Sequence, residues 1–171
     1  GGYAMTRQGL NSICRLSHSP KDRSRLTIGE KGLGFKAVLS FSKTPEIHSG
    51  DLHCRFDRQV AFEFIYSSEV IKNKRPDLAA EKVPLLRIPV WCDSKHWECD
   101  PILVELSKHY ATAIKLPILE DNFVIIREKL EDIRPTILLF LNFLGTIEIR
   151  VDEAELKKCC IVRGKPVQYG S

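Results

Sequence analysis

The chain predicts an α/β protein, and three observations point there. Apolar positions recur at helical spacing over residues 7–16, and a glycine cluster runs straight into a second helical pattern over 34–42. Residues 46–57 form two short runs around Ser49-Gly50-Asp51, which is the mark of a β-hairpin. With 171 residues, 43% hydrophobic and 28% charged, the chain can hold one domain with a sizeable core and a small appendage.

Each element has its own signal. Thr6 is placed to cap a helix from Arg7 to Leu16 that carries Leu10, Ile13 and Cys14 on one face. Ser17 to Arg25 is polar, aperiodic and broken by Pro20, so it reads as a loop. Gly29, Gly32 and Gly34 fall within six residues, and Phe35, Val38, Leu39 and Phe41 follow them as the apolar face of a helix. Glu46–Ser49 and Leu52–Asp57 form the hairpin. Val60–Tyr66 is apolar on both faces, which fits a buried strand or a short helix. Glu69–Lys82 is charged, a loop or a surface helix. Val83–Trp91 is strand-like, and its prolines place it at a sheet edge. Thr112, Ile114 and Leu116 alternate as a strand. Asn122–Asp132 and Pro135–Leu144 read as helices, the second apolar nearly all round and stopped by Gly145. Strands are expected over Thr146–Val151 and near Cys160–Arg163.

Charge is uneven along the chain. Residues 1–45 carry a local balance of +6 and the rest −2, which together give the net +4. A basic segment around a glycine loop attracts a polyphosphate, though a solvated face or a nucleic-acid patch would have the same composition. A glycine loop feeding a helix offers unpaired N–H groups and the positive end of the helix dipole, which suits phosphate. The plainer reading is a tight turn ahead of a core helix. The spacing is G-x-x-G-x-G, not the G-x-G-x-x-G of dinucleotide folds. No Lys-Ser or Lys-Thr pair follows the last glycine, so it is not a P-loop either.

That spacing resembles the second glycine box of the GHKL ATPases. The longer run from Thr27 to Val38, continuing into Pro45-Glu46-Ile47-His48-Ser49, is similar to the sacsin/NO VEIN-type ATP-binding domains. The resemblance implies a partial Bergerat fold: an α+β sandwich whose mixed, mostly antiparallel sheet carries helices on one face. It implies an ATP-binding domain over 1–120 and the start of a transducer-like segment over 121–171. On this reading Gly29 and the backbone amides of Gly32, Leu33, Gly34 and Phe35 face the phosphates, helped by the Lys31 side chain. Lys36 reads better as a surface lysine. Ser19 and Lys21 match a Ser-Thr-Lys-like step on the nucleotide lid, with Pro20 in place of the Thr. Thr112 matches the threonine that helps hold the adenine-binding carboxylate and its water, with Ala111 where glycine is usual. Gly1 or Gly2 and Ala4 stand near the glycines of the D-x-G-x-G box, so its Asp would lie upstream of Gly1.

The same resemblance assigns the water-activating Glu and the Mg²⁺-holding Asn to a helix before that box. The chain is therefore expected to begin mid-protein, to bind ATP weakly and to show no turnover. Mg²⁺-dependent hydrolysis coupled to conformational change, chaperone-like or regulatory, would belong to the longer parent. Other domains of that parent or client proteins are the expected partners. Two further readings stay open: a degenerate interaction module of the same fold, and a nucleic-acid-binding domain using the basic segment 7–43. No apolar run approaches the roughly 20 residues of a membrane span, and the first residues lack the pattern of a signal peptide. An intracellular, cytoplasmic setting is expected, with the six cysteines reduced and mostly buried. Cys92, His96 and Cys99 have a metal-like spacing, but ordinary loop residues are the plainer reading. Ser, His and Asp show no nucleophile-elbow spacing.

Overall fold

A computed structural model of the chain describes residues 3–15, 34–134, 136, 138, 146–151 and 154–160. It is an α+β structure, and the described residues fall into two units: one holds residues 3–15 and 34–119, the other those from 120 on. In the first unit, helix α1 (Arg7–Cys14) is capped by Thr6, whose side chain accepts from Gly9 N. Helix α2 (Gly34–Ala37) tightens at once into a 3₁₀ turn over Val38–Ser40, so the helix expected to run on to Ser42 is shorter.

The hairpin forms as the sequence predicts, from β1 (Glu46–Ser49) and β2 (Leu52–Arg55). Ser49 pairs with Leu52, leaving Gly50-Asp51 as the loop, and Gly50 takes φ +55°, where a side chain would be strained. β3 (Val90–Trp91) and β4 (Ala113–Lys115) complete an antiparallel sheet in the order β3-β2-β1-β4. β1 is interior, with all four residues buried. The two-residue period gives the sheet two different faces. Ile47 and Ser49 lie opposite Cys54 and Leu52, and Glu46 and His48 lie opposite Arg55 and His53.

The apolar face builds the core. Ile47, Leu52, Cys54 and Phe56 pack with Leu10, Leu85 and Leu86, and Met5, Ile13, Cys14, Phe35 and Leu39 close over them. Each fully buried aliphatic or aromatic side chain contributes about 2 kcal/mol. Leu10, Ile13 and Cys14 thus share the face that their spacing assigned to them. Phe35, directly after the glycine cluster, stands 5.8 Å from Phe56 between ring centroids.

Several segments differ from expectation. Val60–Tyr66 is helical, in α3 (Arg58–Tyr66), because Asp57 caps it by accepting from Gln59 N and Val60 N. Only Ala61 of that helix is buried, and Phe64 points to solvent. Glu69–Lys82 holds α4 (Glu69–Lys74) and a 3₁₀ turn at Ala80–Lys82. Val83–Trp91 is mostly not strand. Pro84 precedes a 3₁₀ turn at Leu85–Arg87, and only Val90–Trp91 joins the sheet, at its edge. A proline has no N–H for a ladder, which limits the strand to residues beyond Pro89. Helices α5 (Ser94–Trp97) and α6 (Pro101–His109) follow, capped by Asp93 and Asp100.

The second unit contains α7 (Glu120–Glu131) and the antiparallel pair β5 (Thr146–Val151) and β6 (Ala154–Cys160), with an irregularity between Ile149 and Arg150. β6 begins before the strand expected near Cys160–Arg163, and residues 161–163 lie outside the described residues. So does most of the expected helix Pro135–Leu144. Among the described residues no helix is long and apolar enough to cross a membrane.

Candidate functional site

Of the residues the sequence singles out, Ser19, Lys21, Gly29, Lys31, Gly32 and Leu33 lie outside the described residues. Gly34 opens α2, and Phe35 contributes its ring to the core. Thr112 immediately precedes β4, whose three residues are fewer than the alternation suggests.

Thr112 meets a partner that the sequence reading did not assign. Its Oγ1 lies 2.6 Å from Ser49 Oγ, at the end of β1. Ser49 Oγ also donates to the Ala111 carbonyl at 2.9 Å and accepts from Met5 N at 2.7 Å. One serine, 2% exposed, thereby ties together the chain just before α1, the end of β1 and the approach to β4. Met5 is 44 residues before Ser49, and Thr112 is 63 after it. The serine that closes the run Pro45-Glu46-Ile47-His48-Ser49 was the available signal; its partners are too far away in sequence for spacing to reveal them.

The hairpin turn borders a cavity of about 360 Å³ whose wall includes Ala4, Ser49, Ala111, His48, His53 and Trp97. Ala4 and Ala111, which stand where the resemblance has glycine, thus border one cavity.

The other face of the sheet carries a polar network. Glu46, 5% exposed, meets His48 Nε2 at 3.1 Å and His96 Nε2 at 3.3 Å. Lys115, opposite Glu46 across the sheet, places its Nζ 4.0 Å from Glu46 and 2.8 Å from Asp100. The Lys115 hydrogen bond holds the Asp100 carboxyl below the usual range, and the same bond raises the Lys115 pKa. His48 Nδ1 and His53 Nδ1 are 3.1 Å apart, and His53 stacks on Trp97 with ring centroids 4.1 Å apart. Burial, then the neighbouring His48, lowers the His53 pKa. Buried carboxylates need such partners, since an unpaired one would be strongly destabilising.

This network accounts for His96. Its ring turns to Glu46, and among the described residues no three His, Cys, Asp or Glu side chains are arranged to hold a metal. Among the described residues, Cys92, His96 and Cys99 are not gathered into a metal-holding group. Among the described side chains Cys54 is buried, Cys14 and Cys92 are half-buried and Cys99 is exposed, and all four are free thiols. Burial pushes the Cys54 thiol up to about 12, and burial together with Glu46 pushes Cys92 up to about 11.

Among known proteins, Protein NO VEIN from Arabidopsis thaliana is similar: 42% identity over 50 residues, covering 29% of this chain and 2% of the plant protein. No protein-family model and no solved structure matches the chain. The chain is therefore an α+β protein with a local likeness to Protein NO VEIN.

Proposed function

We propose that this chain is the nucleotide-binding part of a GHKL-type ATP-binding domain of the sacsin/NO VEIN kind. The observation that carries the reading is the Ser49 junction. The resemblance puts the end of the D-x-G-x-G box and the Thr112 strand on one side of the adenine. Here Met5, Ser49 and Thr112 meet through a single hydroxyl although 107 residues of chain separate the first from the last. The local likeness to Protein NO VEIN supports the same reading.

In this account Gly29 and the backbone amides of Gly32 to Phe35 hold the β- and γ-phosphates, with Lys31 adding a positive charge. Ser19 and Lys21 belong to a lid, where the lysine reaches the terminal phosphate as a point charge. Thr112 works at the base. These residues bind and orient; none is a general base. Hydrolysis with Mg²⁺, and the conformational change it would drive in the parent, require an Asn and a Glu that the resemblance places elsewhere. A second reading has a specific observation behind it. Ala4 and Ala111 put methyl groups where glycine would leave room, as expected of an interaction module that kept the fold and lost the site.

Binding of a fluorescent ATP analogue at several salt concentrations separates the readings. The nucleotide reading predicts saturable binding that Gly32→Asp abolishes, because a carboxylate at the loop repels phosphate. Absence of binding in the wild type favours the interaction module. Tighter binding of an oligonucleotide, falling steeply with salt and weakened by Arg23→Ala and Arg25→Ala, would replace both with a nucleic-acid function.

A further inference from the structure

The cavity at the hairpin turn is built on the polar face of the sheet. His48, His53 and Ala113 share that face and line the cavity. Phe35, directly after the glycine cluster, packs on the apolar face instead. The sheet therefore stands between this part of the wall and helix α2. Trp97 of α5, Leu103 of α6 and Tyr110 just beyond α6 continue the wall. The volume, about 360 Å³, is that of a small-molecule site.

Charge on this wall has one sign. Among its described residues there is one acid, Asp51, and no Lys or Arg. Glu98 and Asp51 both act on the His53 ring as neighbouring carboxylates. Lys115, on the adjoining strand, is committed to Asp100 and Glu46. The imidazoles do not offset the acids. His48 Nδ1 and His53 Nδ1, 3.1 Å apart, have room for one hydrogen between them, so the two rings are never both imidazolium. Burial, then His48, lowers the His53 pKa below its ordinary 6.5, which leaves the ring neutral at pH 7.5. His48 is matched by Glu46 at 3.1 Å. The rings draw the same kind of partner. Trp97 is held by its stack on His53, 3° from parallel, and Tyr110 is 60% exposed. Aromatic faces are electron-rich and attract cations.

We propose that this cavity is a ligand site separate from the glycine loop, and that it takes a small organic cation. The ammonium head lies against Asp51 and the Trp97 and Tyr110 rings, and an apolar body lies against Leu103 and Ala113. An anion is rejected, because no cation on the described wall would pair with it. The site does not rest on the nucleotide reading.

The test titrates 2-phenylethylammonium, neutral 2-phenylethanol and the anion phenylacetate into the full chain at pH 7.5. Calorimetry gives affinities, and Trp91→Phe leaves Trp97 as the sole indole reporter. The amine is expected to bind saturably, about fivefold more tightly than the alcohol, and phenylacetate not at all. Asp51→Asn, at an exposed turn residue, should bring the amine down to the affinity of the alcohol and leave the alcohol unchanged. Equal weakening of both would mean a structural role and overturn the proposal. Acid should weaken the amine alone, as His53 takes a proton among His48, Trp97, the Gly50 carbonyl, Asp51 and Glu98; His53→Asn should remove that pH dependence. Phenylacetate binding as tightly as the amine, or no binding of any of the three, would also overturn it. So would displacement of the amine by Mg·ATP, which would make the cavity part of the nucleotide site. Binding of the amine with none of ATP would uphold the proposal while removing the nucleotide reading.

Discussion

His53 shows how a single side chain couples the hairpin to pH. Its ring is stacked on Trp97, sits 3.1 Å from His48, and feels Asp51 and Glu98 as neighbouring carboxylates and Gly50 as a backbone partner. Folding lowers its pKa below the ordinary 6.5, with burial as the main cause. The unfolded chain therefore takes up the proton more readily. The stability that His53 contributes is present in full above about pH 6.5 and is lost as pH falls toward the lowered folded value. The melting temperature should drop between pH 7.5 and pH 5, and His53→Asn should make that drop smaller. Asp100 adds its own loss only in more acid solution, because its folded pKa lies below the ordinary carboxylate value of 3.8. Thiol chemistry gives a second reading at the same scale. Cys54, completely buried and with its pKa pushed up to about 12, should resist iodoacetamide in the native state, whereas exposed Cys99 should be alkylated well before it. Peptide mapping of a timed reaction would show that order.

Elements in this chain are set by a few polar anchors. Gly50 takes a positive φ in a two-residue loop, and a Cβ there would lie 3.4 Å from the Ala4 Cβ. The space is adequate, so the cost of Gly50→Ala is backbone strain of about 1–2 kcal/mol, readable in a urea titration, with Gly50→Asn costing less. Asp100 serves two elements at once. One oxygen accepts from Ile102 N and Leu103 N at the start of α6, and the other binds Lys115 of β4. Asp100→Asn keeps the cap and should cost only about 0.5 kcal/mol; Asp100→Ala loses cap and ion pair together and should cost about 1–2 kcal/mol. These anchors also show what was legible beforehand. The Thr6 cap, the hairpin and the strand at Thr146–Val151 were readable because each signal is local: a capping residue, a turn glycine, a two-residue period. Val60–Tyr66 was not decidable, since a short apolar run fits strand or helix, and the deciding residue, Asp57, stands outside the run. Val83–Trp91 misled because its apolar content outweighed prolines that remove ladder donors.

At the scale of the molecule, the sequence showed which segments matter and concealed how they meet. The run Pro45-Glu46-Ile47-His48-Ser49 was visible as a motif. Its division into a core residue (Ile47), a polar network (Glu46 and His48) and a junction (Ser49) depends on partners distant in sequence, among them His96, Ala111 and Thr112, which lie 50, 62 and 63 residues away. Burial of Glu46 could not be read from a charged residue in an alternating strand, since His96 and Lys115 reach it only once the sheet has formed. Thr112 had a family role to suggest, but nothing in the sequence indicated that its hydroxyl would be bound to Ser49. The claim that unites these scales is that the Ser49–Thr112 junction is one wall of an ATP site. Calorimetric titration of the wild type and Thr112→Val with Mg·ATP tests it most directly. The account predicts saturable one-to-one binding by the wild type and roughly tenfold weaker binding by the variant, with the two proteins melting within a few degrees of each other. No heat of binding in the wild type, or identical affinity in the two, would contradict it.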